Sequence, residues 1–102
     1  MPIRFHVDAE TEMAQAAAYY ETQRKDLGKR FLAAVRDALN RIRINPLLYP
    51  AVEGDVRRAC TKTFPYGVLF RVTPDQLVVV AVMHLHRDPD YWMERVRDAP
   101  TN

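Results

Sequence analysis

The chain has 102 residues, of which 48% are hydrophobic and 27% charged, with 7 Pro and 3 Gly. This composition is typical of one ordinary globular domain and excludes a disordered or fibrous segment, so we expect a single domain over residues 1–102. No apolar run approaches the roughly 18 residues that cross a bilayer, and the first residues do not begin a signal peptide. The single cysteine, Cys60, cannot form an internal disulfide, so we expect a protein of the reducing cytoplasm.

The positive charge is concentrated in the middle of the chain. Residues 30–62 contain seven Lys or Arg and three Asp or Glu, a net charge of +4, whereas residues 1–29 and 63–102 each carry −1. Twelve of the fifteen basic residues are arginine, which suits bidentate recognition of carboxylate or phosphate. This excess predicts an anionic partner, although +4 is too small to identify nucleic acid by charge alone.

The first third of the chain predicts a strand followed by a helix. Residues 3–7 alternate apolar and polar side chains, which is the pattern of a half-buried strand. Asp8 is the predicted N-cap of a helix that runs to about Asp26. Alanines within this helix allow another helix to approach closely. Its apolar positions recur at helical spacing: Met13, Ala16, Ala17 and Tyr20.

A second helix follows the break at residues 26–28. Its apolar period runs from Phe31 to Ile42, and Asn45-Pro46 ends it because the residue before proline avoids the helical region. Two helices joined by so few residues predict an antiparallel hairpin. Residues 47–54 are predicted to form an irregular connector.

The last third predicts strands over residues 56–62, 64–72 and 77–85, with a turn at 73–76. Residues 77–83 are apolar at successive positions, which predicts a central strand covered on both faces. Asp88 is the predicted cap of a short helix with Pro89 at its first position. The order β-α-α-β-β-β predicts an α+β fold, with a helical hairpin packed on one face of a largely antiparallel sheet.

Few residues point to catalysis or to a cofactor. His84 and His86 lie two apart on a strand, but a metal site needs two further ligands, and nothing in the spacing of Cys60 and His6 brings them there, so we expect no metal. Cys60 in a strand is expected to behave as a small hydrophobe. No phosphate-binding or dinucleotide fingerprint is present, so we expect no cofactor.

The chain contains every residue type that RNA cleavage through the 2′-hydroxyl requires. His84 and His86 would supply base and acid. The developing phosphorane charge would be stabilised by cations, the candidates being Arg57, Arg58, Lys62, Arg71 and Arg87. The alternative, which we favour, is that the charges at positions 57, 58 and 62 only keep an outer strand soluble.

The C-terminal aromatic residues have two interpretations. Tyr91 and Trp92 beside Arg87 and Arg95 would form a surface that stacks on bases or binds a protein. Alternatively, Trp92 folds back as a hydrophobic plug on the end of the sheet. We favour the plug.

Six motifs occur in a characteristic order across nearly the whole chain. They are Tyr19-Tyr20-Glu21, Leu27-Gly28-x-Arg30-Phe31, Asn45-Pro46 with Tyr49-Pro50, Val56-Arg57-Arg58, Phe64-Pro65-Tyr66 and Val82-x-His84-x-x-Arg87-x-Pro89-x-x-Trp92. In this order they resemble the RelE/ParE superfamily of toxins from type II toxin–antitoxin modules, and in particular its ParE-like branch.

The resemblance implies a growth-arresting protein that a cognate antitoxin neutralises. The C-terminal segment of the antitoxin would wrap the toxin, laying a helix on the helical hairpin and adding a strand to the sheet edge. An arginine-rich surface suits an acidic segment that folds on binding. The expected antitoxin contacts are Arg30, Arg36, Arg41 and Arg43.

The resemblance leaves the target open among three hypotheses. ParE-like members poison DNA gyrase by binding, and this is the hypothesis we prefer, with target contacts at Arg87, Tyr91, Trp92 and Arg95. RelE-like members cut mRNA on the ribosome, which would use Arg57, Arg58, Lys62, Arg71 and His84, although Asp88 and Asp90 would locally weaken RNA binding. The third hypothesis is an inactive module that only binds its antitoxin.

Overall fold

The computed structural model of the chain describes residues 1–88 and 90–98. Two long helices, α1 (Val7–Gln23) and α2 (Leu27–Ile44), are followed by a 3₁₀ turn at Pro46–Leu48 and, near the C-terminus, by the short helix α3 (Met93–Asp98). The strands are β1 (Ile3–Phe5), β2 (Ala51–Glu53), β3 (Val56–Cys60), β4 (Tyr66–Val72) and β5 (Leu77–His84).

The five strands form one sheet in the order β1-β5-β4-β3-β2. β1 pairs with β5 in parallel, and the other three pairings are antiparallel. The predicted α+β fold, with a helical hairpin on a largely antiparallel sheet, is confirmed. No helix in residues 1–88 and 90–98 combines the length and apolar character that crossing a membrane requires.

The start of α1 differs from the prediction. The helix begins at Val7, so Asp8 lies in its first turn and the predicted Asp8 cap is wrong. His6 caps the helix instead, because its Nδ1 accepts a hydrogen bond of 3.1 Å from the backbone N–H of Asp8. The helix ends at Gln23, since Arg24 adopts an extended backbone. The apolar spacing predicted the helix but not its capping residue.

Three further boundaries differ. Residues 51–53 form the edge strand β2, where a connector was predicted; all three residues are exposed, so no burial pattern marks them. The segment between β3 and β4, residues 61–65, is a turn in which the hydroxyl of Thr61 bonds the carbonyl of Phe64 at 2.8 Å. The last helix begins at Met93 and not beside Asp88, and the predicted role of Pro89 lies outside the described residues.

Close contact between α1 and α2 depends on Gly28. A Cβ atom at this position would lie 2.5 Å from the carbonyl oxygen of Ala17, so only glycine fits without a shift of backbone. The Glu21 carboxylate accepts hydrogen bonds from the N–H groups of Asp26 (2.9 Å) and Gly28 (3.0 Å). An anion at this position satisfies free N–H groups and complements the dipole of α2.

The sheet is covered on both faces. The helical hairpin packs on one face around Phe31, Val35 and Phe70. On the other face, Trp92 covers residues that include Leu69 and Met83. The prediction that residues 77–83 form a strand buried on both sides is therefore confirmed.

Candidate partner-binding sites

Among the described residues, no strand covers one edge of the C-terminal half of β5. β1 ends at Phe5, which pairs with Val79, and the N–H of His6 makes the last bond to the carbonyl of Val79 at 2.9 Å. β5 then continues to His84. Its pairing with β4 also shifts at this point, because Leu69 pairs with Ala81 and the next residue pairs with Val79, which leaves Val80 as the extra residue of a bulge.

Two charged side chains occupy this open edge. The carboxylate of Glu12 accepts a hydrogen bond of 3.1 Å from the N–H of Val82, and the guanidinium of Arg95 donates one of 3.1 Å to the carbonyl of Val80. Backbone groups that would otherwise be buried without partners are thereby satisfied. Glu12 and Arg95 therefore make hydrogen bonds to this part of β5 that a neighbouring strand would otherwise make.

Glu12 and Arg95 also bind each other. Both guanidinium Nη atoms lie 2.9 Å from a carboxylate oxygen, and each side chain is only 13% exposed. Burial opposes the charge on Arg95, but the Glu12 carboxylate outweighs it, so the pKa of Arg95 is raised. A bidentate pair of this kind is the strong form of a charged hydrogen bond. Arg95, an expected target contact, is thus engaged inside the protein.

The other expected target residues differ in exposure. Trp92 is 3% exposed and packs on the sheet, so the plug interpretation is confirmed. Tyr91 is half-buried between the guanidinium groups of Arg87 (3.9 Å from its ring centre) and Arg95 (5.0 Å). Burial and the nearby Glu12 carboxylate raise the pKa of Tyr91. Of the four residues, Arg87 is the one whose exposure suits direct contact with a partner.

A cavity of about 230 Å³ lies between α1 and the end of β5, with Tyr19, Tyr66, His84 and Arg87 around it and Glu12 at one side. The His84 ring packs edge-on against Tyr66, with ring centres 5.2 Å apart, and burial raises the pKa of Tyr66. The Nδ1 of His84 accepts a hydrogen bond from the N–H of His86 at 3.1 Å. Within residues 1–88 and 90–98, no three His, Cys, Asp or Glu residues could hold a metal ion.

Of the cations considered for RNA cleavage, Arg87 lines the same cavity as His84, and the other four lie elsewhere. Arg57 donates to the carbonyl of Tyr49. Arg71 forms an ion pair of 3.1 Å with Asp55 and pairs in the sheet with Val78, six residues from His84, which corresponds to about 20 Å along a strand. Arg58 lies on the face that Trp92 covers, and Lys62 is in the turn after β3.

A larger groove, of about 590 Å³, lies between α2 and the turn at residues 61–65. Its apolar lining residues are Leu27, Ala33, Ala34 and Phe64. Its charged lining residues are Arg24, Arg30, Lys62 and Asp37. Asp37 is paired with Arg41 at 3.0 Å, so the charge available to a ligand in this groove is positive.

The four arginines expected to bind the antitoxin lie on two faces of α2. Arg30 and Arg41 are eleven residues apart, about three helical turns, and lie on the side of the groove, whereas Arg36 and Arg43 are seven residues apart on another face. Arg41 also donates to the carbonyl of Cys60 at 3.0 Å and so ties α2 to β3. Cys60 itself is exposed, contrary to the expected hydrophobic role, because its neighbour on β3, Ala59, faces the core.

The roles of three residues, Glu12, Glu21 and Phe64, were not predicted from the sequence. Glu12 was visible only as one acidic residue near the start of a helix, and the capping role of Glu21 depends on the turn that follows it. Phe64 lines the groove because the turn at residues 61–65 places it beside α2. The sequence feature that could have identified Glu12 is a carboxylate beside the apolar residues Met13 and Ala16 of the same helix.

The fold and the charged surfaces define a small α+β domain with exposed basic side chains on α2. A family model described as the ParE toxin of the type II toxin–antitoxin system parDE matches residues 3–89, and the chain belongs to this family. Among solved structures, it is similar to a chain of the chromosomal ParDE TA system from P. aeruginosa. The identity is 16% and the TM-score 0.62, over 82% of this chain and 95% of that one. A search of the curated proteins found no significant match.

We predict that breaking the Glu12–Arg95 pair destabilises the fold. Arg95→Met leaves the Glu12 carboxylate partly buried without its partner, and Glu12→Ala leaves Arg95 with only the largely exposed Asp8, 3.6 Å away. Each should lower the free energy of unfolding by about 2–3 kcal/mol. Urea denaturation followed by circular dichroism measures this. The double variant Glu12→Met with Arg95→Met should lose much less free energy of unfolding than the two single variants together, because neither charge of the pair is left unpaired. Glu10→Ala, at an exposed position of the same helix, is the control; equal costs for Glu10 and Glu12 would contradict the prediction.

Proposed function

We propose that this member of the ParE family arrests bacterial growth by binding and poisoning DNA gyrase, and that a cognate antitoxin neutralises it. Family membership supports a toxin. The separation of His84 from Arg57 and Arg71, which leaves Arg87 as the candidate cation beside His84, supports a mechanism without turnover, because RNA cleavage needs base, acid and cations around one phosphate. The observation that carries the proposal is the family match over residues 3–89.

The antitoxin segment is proposed to lie in the groove between α2 and the turn at residues 61–65. An amphipathic acidic segment complements it, since its apolar side would cover Leu27 and Phe64 while its carboxylates meet Arg30 and Lys62. Arg30 is the member of the expected arginine set that lines this groove. Arg41 contributes indirectly, because its contact with Cys60 fixes α2 against the sheet.

The target is proposed to contact the surface around Arg87. The Arg87 side chain stacks on Tyr91, and Tyr19, which is 59% exposed, lies across the small cavity from it. Exposed aromatic and arginine side chains are the usual anchors of protein interfaces. Trp92 and Arg95 are proposed to act by holding this segment on the sheet.

We predict that induction of the chain in a bacterial host stops DNA synthesis before protein synthesis. Pulse-labelling of both in the first minutes measures the order. Arg87→Ala should raise the toxin concentration that inhibits gyrase supercoiling at least tenfold without changing stability, whereas Arg4→Ala, an exposed position on β1, should not. If translation stops first, the ribosomal RNase hypothesis replaces this one, and if neither stops, the chain is an inactive antitoxin-binding module.

We also predict that charge reversal in the groove weakens antitoxin binding. Arg30→Glu with Lys62→Glu should reduce affinity at least tenfold for a peptide copied from the C-terminal segment of the adjacently encoded antitoxin, measured by calorimetry. Arg36→Glu with Arg43→Glu makes the same change in net charge on another face of α2 and serves as the control. Equal losses for both pairs would show that net charge, and not the groove, determines binding.

A further inference from the structure

The outer face of α2 carries a row of cations that neither the proposed antitoxin groove nor the target surface uses. Lys29, Arg36 and Arg43 are each seven residues apart, and all three are exposed. Seven residues are about two helical turns, so their side chains leave the same face over about 21 Å of helix. We call these three residues the outer basic row.

Few acidic side chains of the protein neutralise the positive charge of the outer basic row. In the described part of the chain, Arg36 and Arg43 make no ion pair within 4.0 Å. Lys29 lies 3.7 Å from Asp26, but the Lys29 side chain is 84% exposed, and such pairs contribute little. The one acidic residue within α2, Asp37, pairs with Arg41 on the groove side. The positive potential of this face is therefore available to a ligand.

Lys29 also occupies a position that does not favour a cation. The first turn of α2 contains no acidic residue, and the helix dipole there disfavours positive charge. The pair with Asp26 offsets this only weakly, because both side chains are more than half exposed. A role in binding an anion accounts for it.

The chemistry of the row favours a phosphate backbone over a protein. Between its cations lie Asn40, Ala33 and Leu32, all exposed, and Leu32 is the one large apolar side chain among them. Ile44, which is 84% exposed, follows the row at the end of the helix. The core of a protein interface needs well-packed apolar area, whereas nonspecific binding to nucleic acid rests on cations that neutralise phosphates. A helix face with three evenly spaced cations suits a repeating anion.

We infer that the outer basic row binds the phosphate backbone of duplex DNA. The choice of duplex DNA rests on the proposed function, because the proposed target, gyrase, acts on duplex DNA. The groove and the row lie on different faces of α2, so the two binding events use separate residues. The row adds a DNA contact to the toxin, distinct from the target surface around Arg87.

The test measures the salt dependence of DNA binding. The purified toxin and a fluorescent 20-base-pair duplex of arbitrary sequence are titrated by anisotropy between 50 and 200 mM KCl. Neutralising about three phosphates predicts a slope of log K against log[salt] near about −2.7, a loss of about 40-fold across this range. The variant with Lys29→Gln, Arg36→Gln and Arg43→Gln should bind at least tenfold more weakly at 50 mM with a flatter slope.

The matched control removes the same charge from the groove. Arg24→Gln, Arg30→Gln and Lys62→Gln should leave DNA binding within twofold while weakening the antitoxin peptide, and thermal unfolding checks that both triple variants are folded. Equal losses of DNA affinity in the two variants, no DNA binding by the native chain at 50 mM, or loss of antitoxin affinity only in the row variant would overturn the inference. Gyrase inhibition is measured separately. If the toxin inhibits gyrase without binding DNA, the inference about the outer basic row is wrong and the proposed function stands.

Discussion

The structure depends on how the open edge of β5 is closed. A strand that is buried on both faces needs partners for its backbone groups, and β1 supplies them only as far as Val79. Beyond that residue, the Glu12–Arg95 pair takes over, with the carboxylate on the N–H of Val82 and the guanidinium on the carbonyl of Val80. One ion pair thus joins α1, β5 and α3.

The same pair fixes the C-terminal segment on the sheet. Arg95 anchors α3 from one side, and Trp92 fills the surface over Leu69 and Met83 from the other. Tyr91 is held between two guanidinium groups, and this places Arg87 at the edge of the small cavity. The proposed target surface is therefore built on a buried charged contact, which explains why only part of the predicted target set is exposed.

Helix α2 has three faces of different character. Its apolar face packs on the sheet, its groove side combines apolar lining with Arg30 opposite Lys62 of the turn at residues 61–65, and its outer face carries the evenly spaced cations. Arginines that look equivalent in the sequence thus have three roles. Arg41 is structural, Arg30 is proposed to meet the antitoxin, and Arg36 and Arg43 are proposed to meet DNA.

Much of the fold followed from patterns that are local in the chain. The apolar period of α2, its stop at Asn45-Pro46 and the two-faced apolar run of β5 are short-range signals, and the structure agrees with them. β2 was missed because an exposed edge strand has no alternation of burial.

The candidate site could be predicted only in part from the sequence. Glu12 and Arg95 are 83 residues apart, and no periodicity links them, so Arg95 was expected on the surface. The exposure of Cys60 and the engagement of Arg71 by Asp55 likewise depend on strand register, which the pattern of single residues does not determine.

The most direct test of this account is the hydrogen exchange rate of the Val82 amide, measured by NMR in the native chain and in Arg95→Met. If the pair closes the edge of β5, losing Arg95 releases Glu12, and protection at Val82 should fall at least tenfold relative to the amides that pair β3 with β4. If protection at Val82 falls only in proportion to those amides, the edge is closed by something other than the Glu12–Arg95 pair, and the central claim is wrong.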